Sequence, residues 1–385
     1  MVAAEPATDI SVMDVIDISA AVHSRAGLGR YAEKLALALI AQQPERFGVF
    51  YNQGKDGRFP ATFPPATPRC TIQWGYKPWR MAVLLGQLSH IHFNRLIPEA
   101  TLFHATEHLL MPLHSIPTVL TVHDLIYKLF PAYHKKLNYW YLNIAMPLYC
   151  RRANAIIAVS QASKQDIVKY YDIDPAKIHV VYEAAAPHFA PPPPARVAYV
   201  RQTYHLPDRY LIHLSTIEPR KNLNRLLDAL LLLRKTFPKM QLVLAGGKGW
   251  LYNDFFAKIE RLGLQGVVHV LGWVPDEDLP AVIAGADLAV QPSLYEGFGL
   301  PVLEHMACGQ VVAASNASSH PEVGGDAAVY FDPHNVDEMT AVIRRVLTDP
   351  EEYAHRRQLG VAQAAKFSWQ RAAKETLAIY DQIKK

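Results

Sequence analysis

Two carboxylates bracket a glycine-bearing turn, Glu296 in Tyr295-Glu296-Gly297-Phe298-Gly299-Leu300-Pro301 and Glu304 eight positions further on. Ahead of them, Ala286-Asp287-Leu288-Ala289-Val290 is the short apolar run of a buried parallel strand, and Leu300 to Ala307 places helix formers and apolar residues at helical spacing. The stretch therefore reads strand, glycine loop, helix. Such a junction leaves unpaired N–H groups at the helix start, so Gly297 to Leu300 offers a site for phosphate or another anion, and the glycines let a ligand approach the backbone closely. Anions gain nothing from facing carboxylates, which leaves Glu296 and Glu304 to accept hydrogen bonds from ligand hydroxyls. Phosphate together with many hydroxyls is the chemistry of a sugar nucleotide. As an acid/base pair for hydrolysis the two would stand roughly 12 Å apart by helix rise, beyond the roughly 5 to 9.5 Å that glycoside hydrolysis uses. The plain alternative is a capped helix with two solvated glutamates.

Other residues point to the same chemistry. Arg220 and Lys221, in Glu218-Pro219-Arg220-Lys221-Asn222, follow the strand candidate Tyr210 to Ser215 and pair a planar fork with a point charge, a combination suited to a diphosphate. A solvated basic turn is the alternative. His123-Asp124 closes the strand candidate Pro117 to Val122, at the strand end where ligands of open α/β sheets collect; a lone histidine there is otherwise a hydrogen-bonded structural one. Gly27 and Gly29 stand between the strand candidate Val12 to Ile18 and a helical run from Tyr31 to Ala41, again strand, glycine loop, helix, with a tight turn as the alternative. Asp14 and Asp17 make the alternation of that first strand imperfect.

In this order, Gly27-Leu28-Gly29-Arg30-Tyr31, His123-Asp124, Glu218 to Asn222, the Glu296-x7-Glu304 element and Pro321-Glu322-Val323 resemble the family 4 glycosyltransferases. These are retaining, nucleotide-sugar-dependent enzymes, and the match spans nearly the whole chain. The resemblance implies an α/β chain of GT-B fold, two Rossmann-like domains facing a central cleft. Residues 1–190 would be the acceptor-side domain, 191–368 the nucleotide-sugar-binding domain, and 369–385 a helix crossing back to the first. It implies catalytic roles for His123, Arg220, Lys221 and Glu296: His123 at the donor sugar, Arg220 and Lys221 on the leaving diphosphate, Glu296 on sugar hydroxyls. Donor contacts would come from Gly27, Gly29, Gly272-Trp273-Val274 near the base, Gly297, Phe298, Gly299, Leu300, and Glu304 on the ribose. No metal or other cofactor is expected, because the two cations can stabilise the departing nucleoside diphosphate. With no evident carboxylate nucleophile, front-face substitution follows. Within the family the blocks look most like bacterial mannosyl- and hexosyltransferases of polysaccharide assembly, which favours GDP-mannose, then a UDP-hexose. The acceptor would be a hydroxyl of a glycan, a lipid-linked or a small molecule. A sugar-nucleotide epimerase or a silent partner subunit fits the intact blocks less well. His305 and His320 stand where relatives often have a small residue and a leucine.

Strands and helices alternate along the chain, as two α/β domains require. With 385 residues, 50% hydrophobic and 19% charged, the composition suits two filled cores. The net charge of +4 lies wholly in residues 1–190, too mild for a nucleic-acid binder but compatible with an anionic membrane or a phosphorylated acceptor. Cys70, Cys150 and Cys308 are isolated, indicating neither a disulfide framework nor a zinc site. Without a leader or spanning segment, a cytoplasmic protein is expected, soluble or peripheral to the membrane.

Residues 1–10 read as a flexible lead-in. Lys77 to Ile97 reads as one helix, apolar over much of its circumference and edged by Lys77, Arg80 and Arg95; core packing is favoured over a membrane-interface role. Tyr133 to Arg152 is aromatic and basic, a candidate for the acceptor side or a membrane contact, with most of its aromatics assigned to the core. Asp172-Ile173-Asp174 is formally D-x-D but precedes Pro175, so it reads as turn chemistry. The stretch from Ala184 to Ala195, with Pro191 to Pro194 consecutive, marks the domain boundary, its proline run a stiff extended linker.

Overall fold

The computed structural model describes residues 13–24 and 26–385. The expected lead-in, 1–10, and Val12 of the first strand lie outside them. The described chain divides into two units, one of residues 13–129, 134–183 and 368–385, the other of 130–133 and 184–367.

In the first unit, β1 (Met13–Asp17), β2 (Phe47–Asn52), β3 (Arg69–Ile72), β4 (Ala100–Ala105), β5 (Thr118–Val122), β6 (Ala155–Ala158) and β7 (Ile178–Val180) form a parallel sheet ordered β3-β2-β1-β4-β5-β6-β7. In the second, β8 (Tyr210–Leu214), β9 (Gln241–Ala245), β10 (Val268–Gly272), β11 (Leu288–Gln291), β12 (Val312–Ser315) and β13 (Val329–Phe331) follow the order β10-β9-β8-β11-β12-β13, also parallel. Both are doubly wound sheets of Rossmann type. Their strands read as continuous apolar runs because helices cover both faces. The order reverses between β1 and β4 and between β8 and β11, and the loops leaving those strands' carboxyl ends are where such sheets bind ligands.

The buried carboxylates that break the first strand's pattern are occupied. Asp14 accepts from Arg46 Nε at 2.7 Å and Thr101 Oγ1 at 2.7 Å and pairs with Lys384, while Asp17 accepts from the Ser19 N–H at 2.7 Å. Lys384 follows the terminal helix Trp369–Ile383, which packs on the first unit. Tyr380 OH and His104 Nδ1 lie 2.6 Å apart, the rings of Tyr31 and Trp369 meet at 5.9 Å, and Arg46 pairs with Asp381 at 2.8 Å.

Several expectations are corrected. The changeover between units falls at Glu183/Ala184, the start of the expected boundary stretch Ala184 to Ala195 and ahead of the 190/191 division. The proline run is not wholly extended linker: Pro194 opens the helix Pro194–Thr203, where its fixed φ and missing N–H cost nothing. Residues 130–133 group with the second unit, Phe130 facing Tyr295 at 6.4 Å. The helix expected over 77–97 runs only Tyr76–Ser89; His90 turns left-handed (φ 58°) and returns its N–H to Gly86 O, ending the helix. Strands β3 and β13 had no counterpart in the sequence reading. Asp172 is a left-handed helix cap and Asp174 accepts from the Ala176 N–H at 2.9 Å, so the D-x-D is turn chemistry. Among the described residues, no helix is long and apolar enough to cross a membrane.

Candidate active site

The loops after β8 and β11, neighbours at the point where the second sheet's order reverses, are stitched together. Asn222, left-handed at φ 59°, donates Nδ2 to Pro292 O at 3.0 Å and to Pro333 O at 2.7 Å, and the Leu294 N–H donates to Arg220 O at 2.9 Å. This brings four ionisable side chains together, each less than a tenth exposed. Arg220 Nη1 donates to Glu296 Oε2 at 2.8 Å and to Tyr295 O at 2.6 Å, and Nη2 donates to Glu218 Oε1 at 2.5 Å. Lys221 Nζ donates to Glu296 Oε1 at 2.6 Å.

Two cations thus face two carboxylates in a largely buried site. Burial opposes ionisation of Glu296, but Arg220 and then Lys221 overcome it and hold its carboxyl far below the usual range. Burial first, then the neighbouring Arg220 charge, push the Lys221 ammonium below its ordinary value, and burial raises Glu218. The basic pair is therefore no solvated turn. Nor is Glu296 an open carboxylate: both oxygens already accept from the cations, each keeping a second lone pair for a ligand hydroxyl.

A third segment holds Glu296 in place. Its N–H donates to Ser318 Oγ at 2.8 Å, Ser319 Oγ donates to its carbonyl at 3.0 Å, and Ser315 Oγ donates to Ser293 O at 2.7 Å. With its proton so used, Ser315 Oγ accepts from His320 Nδ1–H at 2.9 Å. Burial pulls His320 down to about 4, against the opposing charge of Glu296, so its ring is neutral at pH 7 with Nε2 bare. Gly299 adopts φ +97°, and a Cβ there would stand 3.0 Å from His320 Cδ2. These serines and His320 escaped the sequence reading as site-shaping residues. Their block was visible, but its contact with Glu296 arises only from β11 lying beside β12.

The helix Leu300–Ala307 begins where expected. Pro301 has no N–H and that of Val302 returns to Gly299 O at 2.9 Å, which narrows the donors of this first turn to Gly299 and Leu300. Phe298 is buried, 5.9 Å from the Phe367 ring, and Glu304 is buried within the helix rather than solvated. His305 is buried too, its Nε2 3.0 Å from Gln291 Nε2, and burial lowers it to about 3. Gly272 ends β10, Trp273 is 77% exposed and Val274 buried. Among the described residues, no group of three His, Cys, Asp or Glu side chains is placed to hold a metal ion.

In the first unit, His123 follows β5 and uses both ring nitrogens: Nε2 donates to Thr106 O at 2.9 Å and Nδ1 meets Glu183 Oε1 at 3.2 Å. Burial disfavours its charge, yet the Glu183 hydrogen bond and charge outweigh it and raise the pKa. The ring is thus engaged as a double donor, not poised with a free nitrogen to orient a hydroxyl. Gly27 and Gly29 lie inside the helix Ala26–Gln42 instead of in a loop before it. A Cβ on Gly29 would come 2.8 Å from Ala20 O, so this glycine serves close helix packing, whereas Gly27 has open space beside it.

Residues 25–189 match the model described as Glycosyltransferase Family 4, and residues 201–362 that of Glycosyl transferases group 1. O-antigen chain mannosyltransferase B of Escherichia coli is 37% identical over 264 residues, covering 68% of this chain and 69% of that one. The chain belongs to the family 4 glycosyltransferases. This glycosyltransferase is also 33% identical to the Serotype-specific mannosyltransferase WbdA of Escherichia coli over 279 residues, spanning 33% of that longer relative. Sucrose-phosphate synthase from Thermosynechococcus elongatus superposes with a TM-score of 0.77 at 17% identity, covering 96% of this chain and 99% of that one. HepE of Anabaena, solved in complex with UDP and glucose, gives 0.73 at 22% identity, covering 96% and 99%. The family 4 chain thus has the GT-B fold expected of it.

Proposed function

We propose that this glycosyltransferase moves a hexose, mannose from GDP-mannose, to a hydroxyl of a glycan, lipid-linked or small-molecule acceptor, with retention of anomeric configuration. The buried cluster of Arg220, Lys221 and Glu296 at the switch point of the second sheet carries the reading. Its cations stabilise the charge of the departing nucleoside diphosphate without a metal, and Glu296 positions them while its remaining lone pairs accept from sugar hydroxyls. Gly299 and Leu300 amides assist on the phosphate side, and Glu304 takes the ribose. The leaving phosphate assists deprotonation of the acceptor on the same face. His123, with both nitrogens engaged, holds the acceptor side in shape rather than abstracting a proton.

The mannosyl donor is supported by the names of two relatives, O-antigen chain mannosyltransferase B and WbdA. A UDP-hexose is the second reading, favoured by the UDP and glucose held by HepE. Binding raises melting temperature by mass action, so a panel of nucleotide sugars with and without EDTA tests both. A selective, EDTA-insensitive rise with GDP-mannose supports the proposal, and one confined to UDP-sugars replaces the donor. Activity unchanged in an Arg220→Ala, Lys221→Ala double variant would sink the mechanism.

A further inference from the structure

Three consecutive residues, Ser318, Ser319 and His320, embrace the loop that carries Glu296. The two serines hold the backbone of Glu296 itself, the first accepting from its N–H and the second donating to its carbonyl. His320 meets the same loop at Gly299: a Cβ added there would stand 3.0 Å from His320 Cδ2 and 3.7 Å from Nε2, so the Cδ2–Nε2 edge of the ring lies against this glycine. The ring opens the helix His320–Gly324 and is 1% exposed. Its surroundings are the charged cluster, since Glu296, Lys221 and Arg220 all act on its ionisation.

A short relay fixes which nitrogen of this ring carries the proton. Ser315 Oγ has one proton and gives it to Ser293 O at 2.7 Å, so toward His320 it can only accept, and Nδ1 is the donor of the 2.9 Å contact. Charging the ring as well would add a third cation to Arg220 and Lys221 in a buried place, which desolvation and those two charges oppose. The ring therefore presents a lone pair at Nε2, and among the described residues no protein group meets it. A phosphate oxygen, with no proton to give, would be repelled there; a hydroxyl would be held. Glu296 offers acceptors only, too, so the loop presents two acceptor side chains, as neighbouring hydroxyls of a sugar ring require. We propose that His320 is a specificity-determining residue of the donor site, its Nε2 accepting from one hydroxyl of the transferred hexose while Glu296 accepts from another. A sugar that lacks or inverts that hydroxyl leaves the buried nitrogen unpaired and is discriminated against. The inference rests on the sugar-nucleotide reading and adds to it a residue that selects the sugar.

Two variants separate contact with the sugar from support of the loop. His320→Asn keeps an amide donor at the place of Nδ1 for Ser315 Oγ but has no atom at the place of Nε2, whereas His320→Gln puts an amide group near Nε2 and gives up Nδ1. Calorimetric titration of the full chain with GDP-mannose and GDP, and with UDP-glucose and UDP, reads the sugar apart from the diphosphate. For the nucleotide sugar that the parent holds, His320→Asn should weaken binding about three- to tenfold. Binding of the matching nucleoside diphosphate and the melting temperature should stay as in the parent, and His320→Gln should recover part of the lost affinity. Equal weakening of nucleotide sugar and nucleoside diphosphate would assign the ring to the phosphate or to the loop and overturn the inference. Variants that bind the nucleotide sugar as the parent does would overturn it alone, and a parent that binds neither GDP-mannose nor UDP-glucose would overturn the proposed function with it.

Discussion

Glu296 Oε1 accepts from Lys221 Nζ at 2.6 Å, joining residues 75 positions apart in the chain. With Arg220 on its other oxygen, Glu296 is the counter-charge that keeps two buried cations in place. Glu296→Ala leaves them unpaired and should cost about 3–5 kcal/mol, read as a fall in denaturation midpoint. The folded-state pKa of Glu296 lies below its ordinary value. Its contribution is therefore full above the usual carboxylate range near about 4.3 and is lost as pH falls through the folded value. The stability gap between parent and Glu296→Gln should be widest at neutral pH and close on acidification; a gap that widens in acid would refute the assignment.

His123 shows the opposite sign. Its pKa is raised in the folded state, so the His123–Glu183 pair contributes fully below the ordinary histidine value of about 6.5 and loses that contribution as pH rises through the folded value. Glu183→Gln should lower the melting temperature more in mildly acid than in mildly alkaline buffer. Equal losses in both would mean that His123 is neutral throughout.

The two glycines of Gly27-Leu28-Gly29 are expected to behave differently. Gly29→Ala drives a Cβ against Ala20 O and should cost about 1–3 kcal/mol. Gly27→Ala meets nothing and sits in a helix, so stability should hold or rise by up to about 1 kcal/mol. Thermal unfolding separates them, and the donor KM of Gly27→Ala reports whether a ligand needs that open space.

Ser319→Ala removes the hydroxyl that donates to Glu296 O and leaves a buried carbonyl short of a donor, costing about 1–3 kcal/mol. Because that carbonyl belongs to the loop holding the cluster, the donor KM should rise as well. A melting temperature that falls with KM and kcat unchanged would reduce the contact to a purely structural one.

Apolar runs, glycine turns and helical spacings are written among neighbouring residues, so the sequence by itself determined the alternation that makes two doubly wound sheets, the helix from Leu300 and the blocks that identify the family. Short strands without a long apolar run, β3 and β13, were invisible for the same reason. What depends on distant segments was decided by the tertiary structure alone. Arg220 and Glu296 meet because β8 and β11 are neighbours in the sheet, and Ser319 reaches Glu296 because β12 lies next. Glycine spacing could not show that Gly27 and Gly29 sit within a helix, nor that Ala184, Ala186 and Phe189 are buried before the proline run begins. Local pattern records what a residue prefers; strand order and burial determine what it touches, and Glu296 draws its charge state from two cations that no local pattern places beside it.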